Sequence, residues 1–147
     1  YKYNMTDVMA SIGVVQLSKY DEKLERRREL VKKYDEAFKN LNIETLPHLS
    51  DGNLSNCHLY IARLKGKSIT FRNNLIEKLS EHGVAANVHF KPLPMLTAYK
   101  NLGFDIKNYP NAYDMYKNEI TLPLNTCITD EQADYVIDTF IKLMKEE

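Results

Sequence analysis

Residues 6–41 contain no proline and place apolar side chains at three- and four-residue steps: Leu17, Tyr20, Leu24, Val31, Tyr34, Phe38 and Leu41. Arg27 fills the one polar slot in that series. Such spacing lays an apolar stripe along one side of an α-helix. The other side is charged, as in Asp21-Glu22-Lys23 and Glu25-Arg26-Arg27-Arg28-Glu29. Thr6 and Asp7 can accept the orphan N–H groups of a first turn. The pattern predicts one long helix over residues 6–41, kinked near Gly13. At about 1.5 Å per residue, such a rod overreaches a compact fold of 147 residues. Its first half, with Val8, Met9, Ile12, Val14 and Val15, is apolar on several sides. That half is expected to pack against something outside the chain. The sequence also enters structured-looking residues at once, as a piece of a longer protein would.

After the helix, Pro47 and the Ser50-Asp51-Gly52-Asn53 cluster mark a loop over 41–56. Residues 58–64 alternate as a strand and end at Lys65-Gly66-Lys67. Ser68 or Thr70 can cap a helix over 71–82 with Leu75, Ile76 and Leu79 buried, and Gly83 supplies its left-handed stop. A second strand is expected over 84–90, broken by Pro92 and Pro94. Residues 91–110 read as irregular, with a turn of helix at 96–101. A short helix over 111–117 is entered from Pro110, and a third strand over 119–124 is stopped by proline. Thr129-Asp130-Glu131-Gln132 offers a capping box to a final helix carrying Tyr135, Val136, Ile137, Phe140, Ile141 and Leu143. The order implies an α+β fold, a small and mostly antiparallel sheet covered by helices on one face.

Twenty Lys and Arg balance twenty Asp and Glu. Nucleic acid and anionic membranes normally demand a basic surplus, so neither is expected as a partner. No stretch approaches the ~20 apolar residues of a membrane span, and the first residues lack a signal peptide's apolar core. Cys57 and Cys127 are expected to be free thiols in a reducing compartment, which points to the cytoplasm.

The residues able to carry chemistry are few. Five scattered glycines form no phosphate-cradling loop, the cysteines lack metal-ligand spacing, and no serine sits in a nucleophile elbow. His58 and His89 lie on expected strands and can converge, but two histidines without a third ligand do not make a zinc site. His58 reads as a satisfied structural histidine. His89 and Lys91 stand at a strand end, where side chains can face a cleft. They read either as a packed edge residue beside a solvated lysine, or as an anion- or substrate-binding pair near a domain interface. Arg26, Arg27 and Arg28 fan round a helix axis and find partners in Glu25 and Glu29 three and four residues away, so they form no single basic patch.

Five segments together resemble one family. The opening Tyr1-Lys2-Tyr3-Asn4-Met5-Thr6-Asp7 is similar to the Gly-Tyr-Asn-Tyr-Arg-Met-Thr-Asp/Glu signature of the DegT/DnrJ/StrS sugar aminotransferases, and its continuation through residues 10–17 follows suit. Glu25-Arg26-Arg27-Arg28, the 83–92 segment with His89 and Pro92, Tyr109-Pro110-Asn111-Ala112 and Ile120-Thr121-Leu122-Pro123-Leu124 match that family's segments in order, and the closing Thr129-Asp130-Glu131-Gln132 also fits. The likeness spans essentially the whole chain. It implies that residues 1–147 form the small C-terminal domain of an aspartate-aminotransferase (fold type I) enzyme, with the connecting helix at about 6–41. Members are pyridoxal 5′-phosphate-dependent homodimers that move an amino group from glutamate to a keto-sugar nucleotide, serving surface polysaccharide or lipid sugars.

The family's Schiff-base lysine belongs to the large domain, so the resemblance assigns no catalytic residue here and implies that the chain alone is inactive. It does imply cofactor contacts from the opening loop, which reaches a neighbouring subunit's site. Lys2 stands in the slot of the family's phosphate-binding Asn, and Asn4 in the slot of its Arg, so Lys2, Asn4 or both meet the phosphate. Tyr-Lys-Tyr-Asn resembles the branch that makes 4-amino-4-deoxy-L-arabinose on a UDP carrier. His89 matches the strand histidine bordering the substrate pocket, and Lys91 follows it toward the same mouth. A contrasting reading takes the stripe from Leu17 to Leu41 as a coiled-coil-like seam of a non-catalytic interaction module.

Overall fold

The computed structural model describes residues 3–48, 50, 52 and 54–146. The long stripe forms two helices, α1 (Asp7–Ser18) and α2 (Tyr20–Phe38). The expected kink at Gly13 is absent; the break falls at Lys19, whose φ of −104° and ψ of 5° leave the helical region. One residue earlier, the Ser18 hydroxyl donates to the Val15 carbonyl at 2.9 Å. A serine that bonds back to the preceding turn competes with the backbone ladder and bends a helix. The apolar period crosses this point unchanged, which is why periodicity alone does not reveal it.

Thr6 caps α1, accepting from the Met9 N–H. The helix buries none of its residues: Val8, Val14 and Leu17 are each 70% exposed or more. In contrast α2 buries Leu30, Val31, Tyr34 and Phe38. Its stripe therefore packs into the chain's own core. The Arg triplet fans as expected, with Arg28 pairing Glu25 at 3.6 Å and Arg26 pairing Glu29 at 3.2 Å. Arg26 also reaches Asp130 at 2.9 Å and the Ile128 carbonyl at 2.8 Å, which ties α2 to the last helix.

Among the described residues the sheet has three antiparallel strands in the order β1 (Ile43–Thr45), β2 (Tyr60–Leu64), β3 (Glu119–Leu122). The class is α+β, as expected, and two of the strand expectations are corrected. The expected loop contains β1, a three-residue edge strand too short to show a period. The expected strand over 84–90 is an extended segment joined to the sheet through one pair, Asn87 with Thr121, by N–H···O bonds of 3.0 and 2.8 Å. Its next two N–H groups go to side chains, Val88 to Asn87 Oδ1 at 2.8 Å and His89 to the Glu119 carboxyl. No ladder can continue where side chains hold the donors.

Tyr60, Ala62, Leu64, Ile120 and Leu122 face the core, closed by α2, α3 (Ile69–Glu81) and the last helix, α6 (Asp130–Lys145). Each fully buried side chain of the size of Leu64, Ile120 or Leu122 stabilises the fold by about 1.5–3 kcal/mol. At the centre, the rings of Tyr34 and Tyr60 lie 4.9 Å apart and those of Phe38 and Phe140 5.0 Å apart. Both buried hydroxyls are satisfied, Tyr34 donating to the Pro123 carbonyl and Tyr60 to Asp35 Oδ1, each at 2.8 Å. Burial pushes the Tyr34 phenol up to about 12. His48 stacks near Tyr60 and its Nδ1 lies 3.0 Å from Ser55 Oγ. Ser68 caps α3, Gly83 follows that helix with φ of +73°, and the Thr129–Gln132 capping box opens α6. Cys57 is buried, Cys127 exposed, and both are free.

Two short helices, α4 (Thr97–Asn101) and α5 (Pro110–Lys117), fall where expected. The helices do not all share one face, however. Arg63, on the side of β2 opposite Tyr60 and Ala62, ion-pairs Asp114 of α5 at 2.8 Å, so α5 stands over the second face. No described helix is long and apolar enough to cross a membrane.

Candidate functional site

Strand pairing puts Glu44, Arg63 and Glu119 in one row across the second face, since Glu44 registers with Arg63 and Arg63 with Glu119. Arg63 lies 3.4 Å from Glu44 Oε2 and reaches both the carboxyl and the carbonyl of Asp114. Lys117 and Arg63 hold the Asp114 carboxyl below the ordinary aspartate range. Glu119 is 5% exposed. Its Oε1 accepts the Thr121 hydroxyl at 2.7 Å, and its two oxygens accept the His89 N–H at 3.3 and 3.2 Å.

These bonds bring His89 down onto the sheet. Its ring meets Phe90 edge-on, with centroids 4.7 Å apart. The imidazole borders a cleft of about 250 Å³ whose walls include Ile61, Arg63, Phe90, Met115 and Tyr116. His89 Nδ1 is buried yet has no protein partner among the described residues. A buried ring nitrogen of that kind is costly unless something bonds it.

His89 also borders a second cleft of about 290 Å³, which His58 shares. The two histidines thus reach one cleft, as the sequence suggested. His58, read from the sequence as a satisfied structural histidine, is exposed, because it lies on the approach to β2 and not within the ladder. Among the described residues no three His, Cys, Asp or Glu side chains gather as metal ligands. Lys91 is exposed and lines neither cleft. Asn4 is exposed just before the α1 cap, and no hydrogen bond or ion pair joins it to His89 among the described residues. Lys2 lies outside the described residues. The chain therefore assembles the surroundings of His89 and leaves Asn4 and Lys91 apart from them.

Sequence reasoning overlooked the residues that set this geometry. Glu119 and Thr121 alternate with Ile120 and Leu122, which reads as an ordinary polar strand face; the covering segment at 87–89 makes it an interior. Arg72 is 1% exposed within α3. It donates through Nη1 to the carbonyls of Glu119 at 2.9 Å and Tyr116 at 3.2 Å, and its guanidinium stands 4.9 Å from the Tyr116 ring. Arg72 thereby clamps the end of α5 to the start of β3, the two elements that frame the cleft.

A model of the DegT/DnrJ/EryC1/StrS aminotransferase family matches residues 1–141. The putative sugar aminotransferase Spr1654 from Streptococcus pneumoniae, solved in apo, PMP and PLP forms, is 51% identical over 99% of this chain with a TM-score of 0.96. The UDP-4-amino-4,6-dideoxy-N-acetyl-beta-L-altrosamine transaminase of Campylobacter jejuni is 33% identical over 99% of the chain, and the protein MJ1066 of Methanocaldococcus jannaschii 37% over the same share. The chain spans 37% of the Spr1654 chain and 38–39% of these two relatives.

Proposed function

Because the chain belongs to the DegT/DnrJ/EryC1/StrS aminotransferase family, we propose that it is the C-terminal small domain, residues 1–147, of a pyridoxal-phosphate-dependent nucleotide-sugar aminotransferase of fold type I. The observation that carries this reading is the likeness to Spr1654 along 99% of the chain but only 37% of that protein. The amino donor is glutamate, the acceptor a keto-sugar nucleotide, and the setting a cytoplasmic homodimer. Catalysis needs the lysine of the large domain, so the chain by itself is inactive.

Pyridoxal phosphate, when bound, supplies the electron sink and carries the amino group between donor and acceptor. This chain's residues bind and orient. The Asn4 amide is exposed and offers two N–H donors that suit a phosphate oxygen. The α1 N-terminus beside it carries partial positive charge of the matching sign, and Lys2 adds an ammonium. His89 offers a buried, unpartnered Nδ1 to a sugar hydroxyl, and the apolar walls around it exclude water. Lys91, exposed on the same segment, suits a carboxylate or phosphate. The bare apolar surface of α1 fits burial against the large domain.

The test is expression of the chain within a polypeptide of family length and, separately, alone. The long form should retain pyridoxal phosphate through dialysis and convert glutamate to 2-oxoglutarate when a UDP-linked 4-keto sugar is present. The 147-residue chain should do neither. Stoichiometric cofactor retained by the short form, or none by the long form, refutes the proposal.

A further inference from the structure

The Glu119 carboxyl is buried, yet it neutralises no adjacent cation within hydrogen-bond reach among the described residues. Its cross-strand neighbour Arg63 turns away to Glu44 and Asp114. Among the described residues its oxygens bond only the Thr121 hydroxyl and the His89 N–H. Burying a carboxyl is costly, and a fold that needed only a sheet face could have used an apolar residue there. The placement is also directional. Asn87 and Thr121 exchange both main-chain bonds, which fixes the segment two residues before His89. Glu119 then catches the His89 N–H itself, and Thr121 orients the catching carboxyl. Arg72 holds the Glu119 main chain from behind. The result is a histidine set at the junction of two clefts, its Nδ1 buried and without a partner among the described residues.

We propose that Glu119 is a positioning residue: it fixes the main chain of His89 so that the imidazole meets the sugar of the nucleotide substrate. The proposal rests on the substrate role given to His89 above. Glu119 itself touches no substrate; it acts through His89. The carboxyl is required as an acceptor, so an amide oxygen in its place should serve nearly as well, whereas a methyl group should release the segment.

The experiment compares wild type, H89A, E119A, E119Q and H89A/E119A in the family-length protein. Initial rates are measured against the UDP-linked 4-keto sugar with glutamate saturating. The His89 imidazole resonance in the NMR spectrum is followed without substrate. H89A should raise KM for the sugar nucleotide about tenfold, the scale of one lost hydrogen bond to a buried group. E119A should raise KM by a similar factor with a smaller change in kcat, and should broaden or split the His89 resonance. E119Q should stay within about threefold of wild type, since it keeps the acceptor. The double variant should be no worse than H89A, because residues acting as one unit are not additive. Wild-type KM in E119A beside an impaired H89A overturns the inference and leaves the role of His89 standing. Wild-type KM in H89A overturns both. A fall in thermal midpoint of E119A with KM and the resonance unmoved marks a merely structural residue and also overturns it. If E119A does not accumulate, Thr121→Val serves, since it removes the hydroxyl that orients Glu119; KM should rise about twofold to threefold, and an unchanged KM counts against the proposal.

Discussion

Replacing Arg72 by Met removes a buried guanidinium while keeping most of its aliphatic stem. Four interactions disappear: the bonds from Nη1 to the Glu119 and Tyr116 carbonyls, the bond from Nε to Asn73 Oδ1 at 2.8 Å, and the contact with the Tyr116 ring. A hydrogen bond from a charged donor is worth about 1.5 kcal/mol at the low end, and the ring contact about 1 kcal/mol. The gross loss is therefore about 5–6 kcal/mol. Relief from holding a charge in the interior offsets part of that, leaving a net loss of about 2–3 kcal/mol. Arg72→Ala should cost more, because truncation of the stem adds a cavity. Arg72→Lys should not rescue, since one ammonium on a flexible stem cannot serve both carbonyls and the ring as the planar fork does. Urea denaturation of the chain, followed by circular dichroism, measures the change in midpoint at constant slope. A loss below about 1 kcal/mol for Arg72→Met, or a lysine variant as stable as wild type, would falsify the reasoning that the clamp on β3 and α5 depends on a forked cation.

Two other tests bear on single elements. Thr129→Ala removes the side-chain half of the α6 capping box and should lower stability by about 1 kcal/mol in the same urea assay; Ser at that position should restore it. His48 titrates below the ordinary histidine range because burial disfavours its charged form more than nearby Asp35 favours it. The unfolded chain then takes up that proton first as pH falls, so stability is full above about pH 6.5 and declines below it. His48→Gln should flatten that decline between pH 7 and 5, and an unchanged pH profile would remove His48 as its source.

Much of the molecule is legible in its residues. The α6 capping box, the Gly83 stop and the apolar period of α2 are local devices, each complete within a few residues, so the sequence alone determines them, whereas the sequence leaves the α3 cap open between Ser68 and Thr70 and the structure places it at Ser68. The same holds for the ion pairs of Arg26 with Glu29 and Arg28 with Glu25, which lie within one helical turn, but not for the reach of Arg26 to Asp130 and the Ile128 carbonyl. His89 was legible as a candidate because the residue types and their place beside a proline-broken segment are local facts. What tertiary structure alone decided is which polar groups become interior. Glu119 and Thr121 occupy the polar positions of an alternating strand, which a sequence presents as a wet face; a segment thirty residues earlier covers them and takes their acceptors. For the same reason residues 84–90 do not complete a strand: their donors are captured by side chains whose approach no local period encodes. Arg72 stands three, four and seven residues before Leu75, Ile76 and Leu79, on the buried face of α3, but only the convergence of α3, α5 and β3 supplies the carbonyls it clamps. Local hydrogen bonding and periodicity specify elements; the burial of a charge depends on which elements meet over it, and that is settled only when the chain packs.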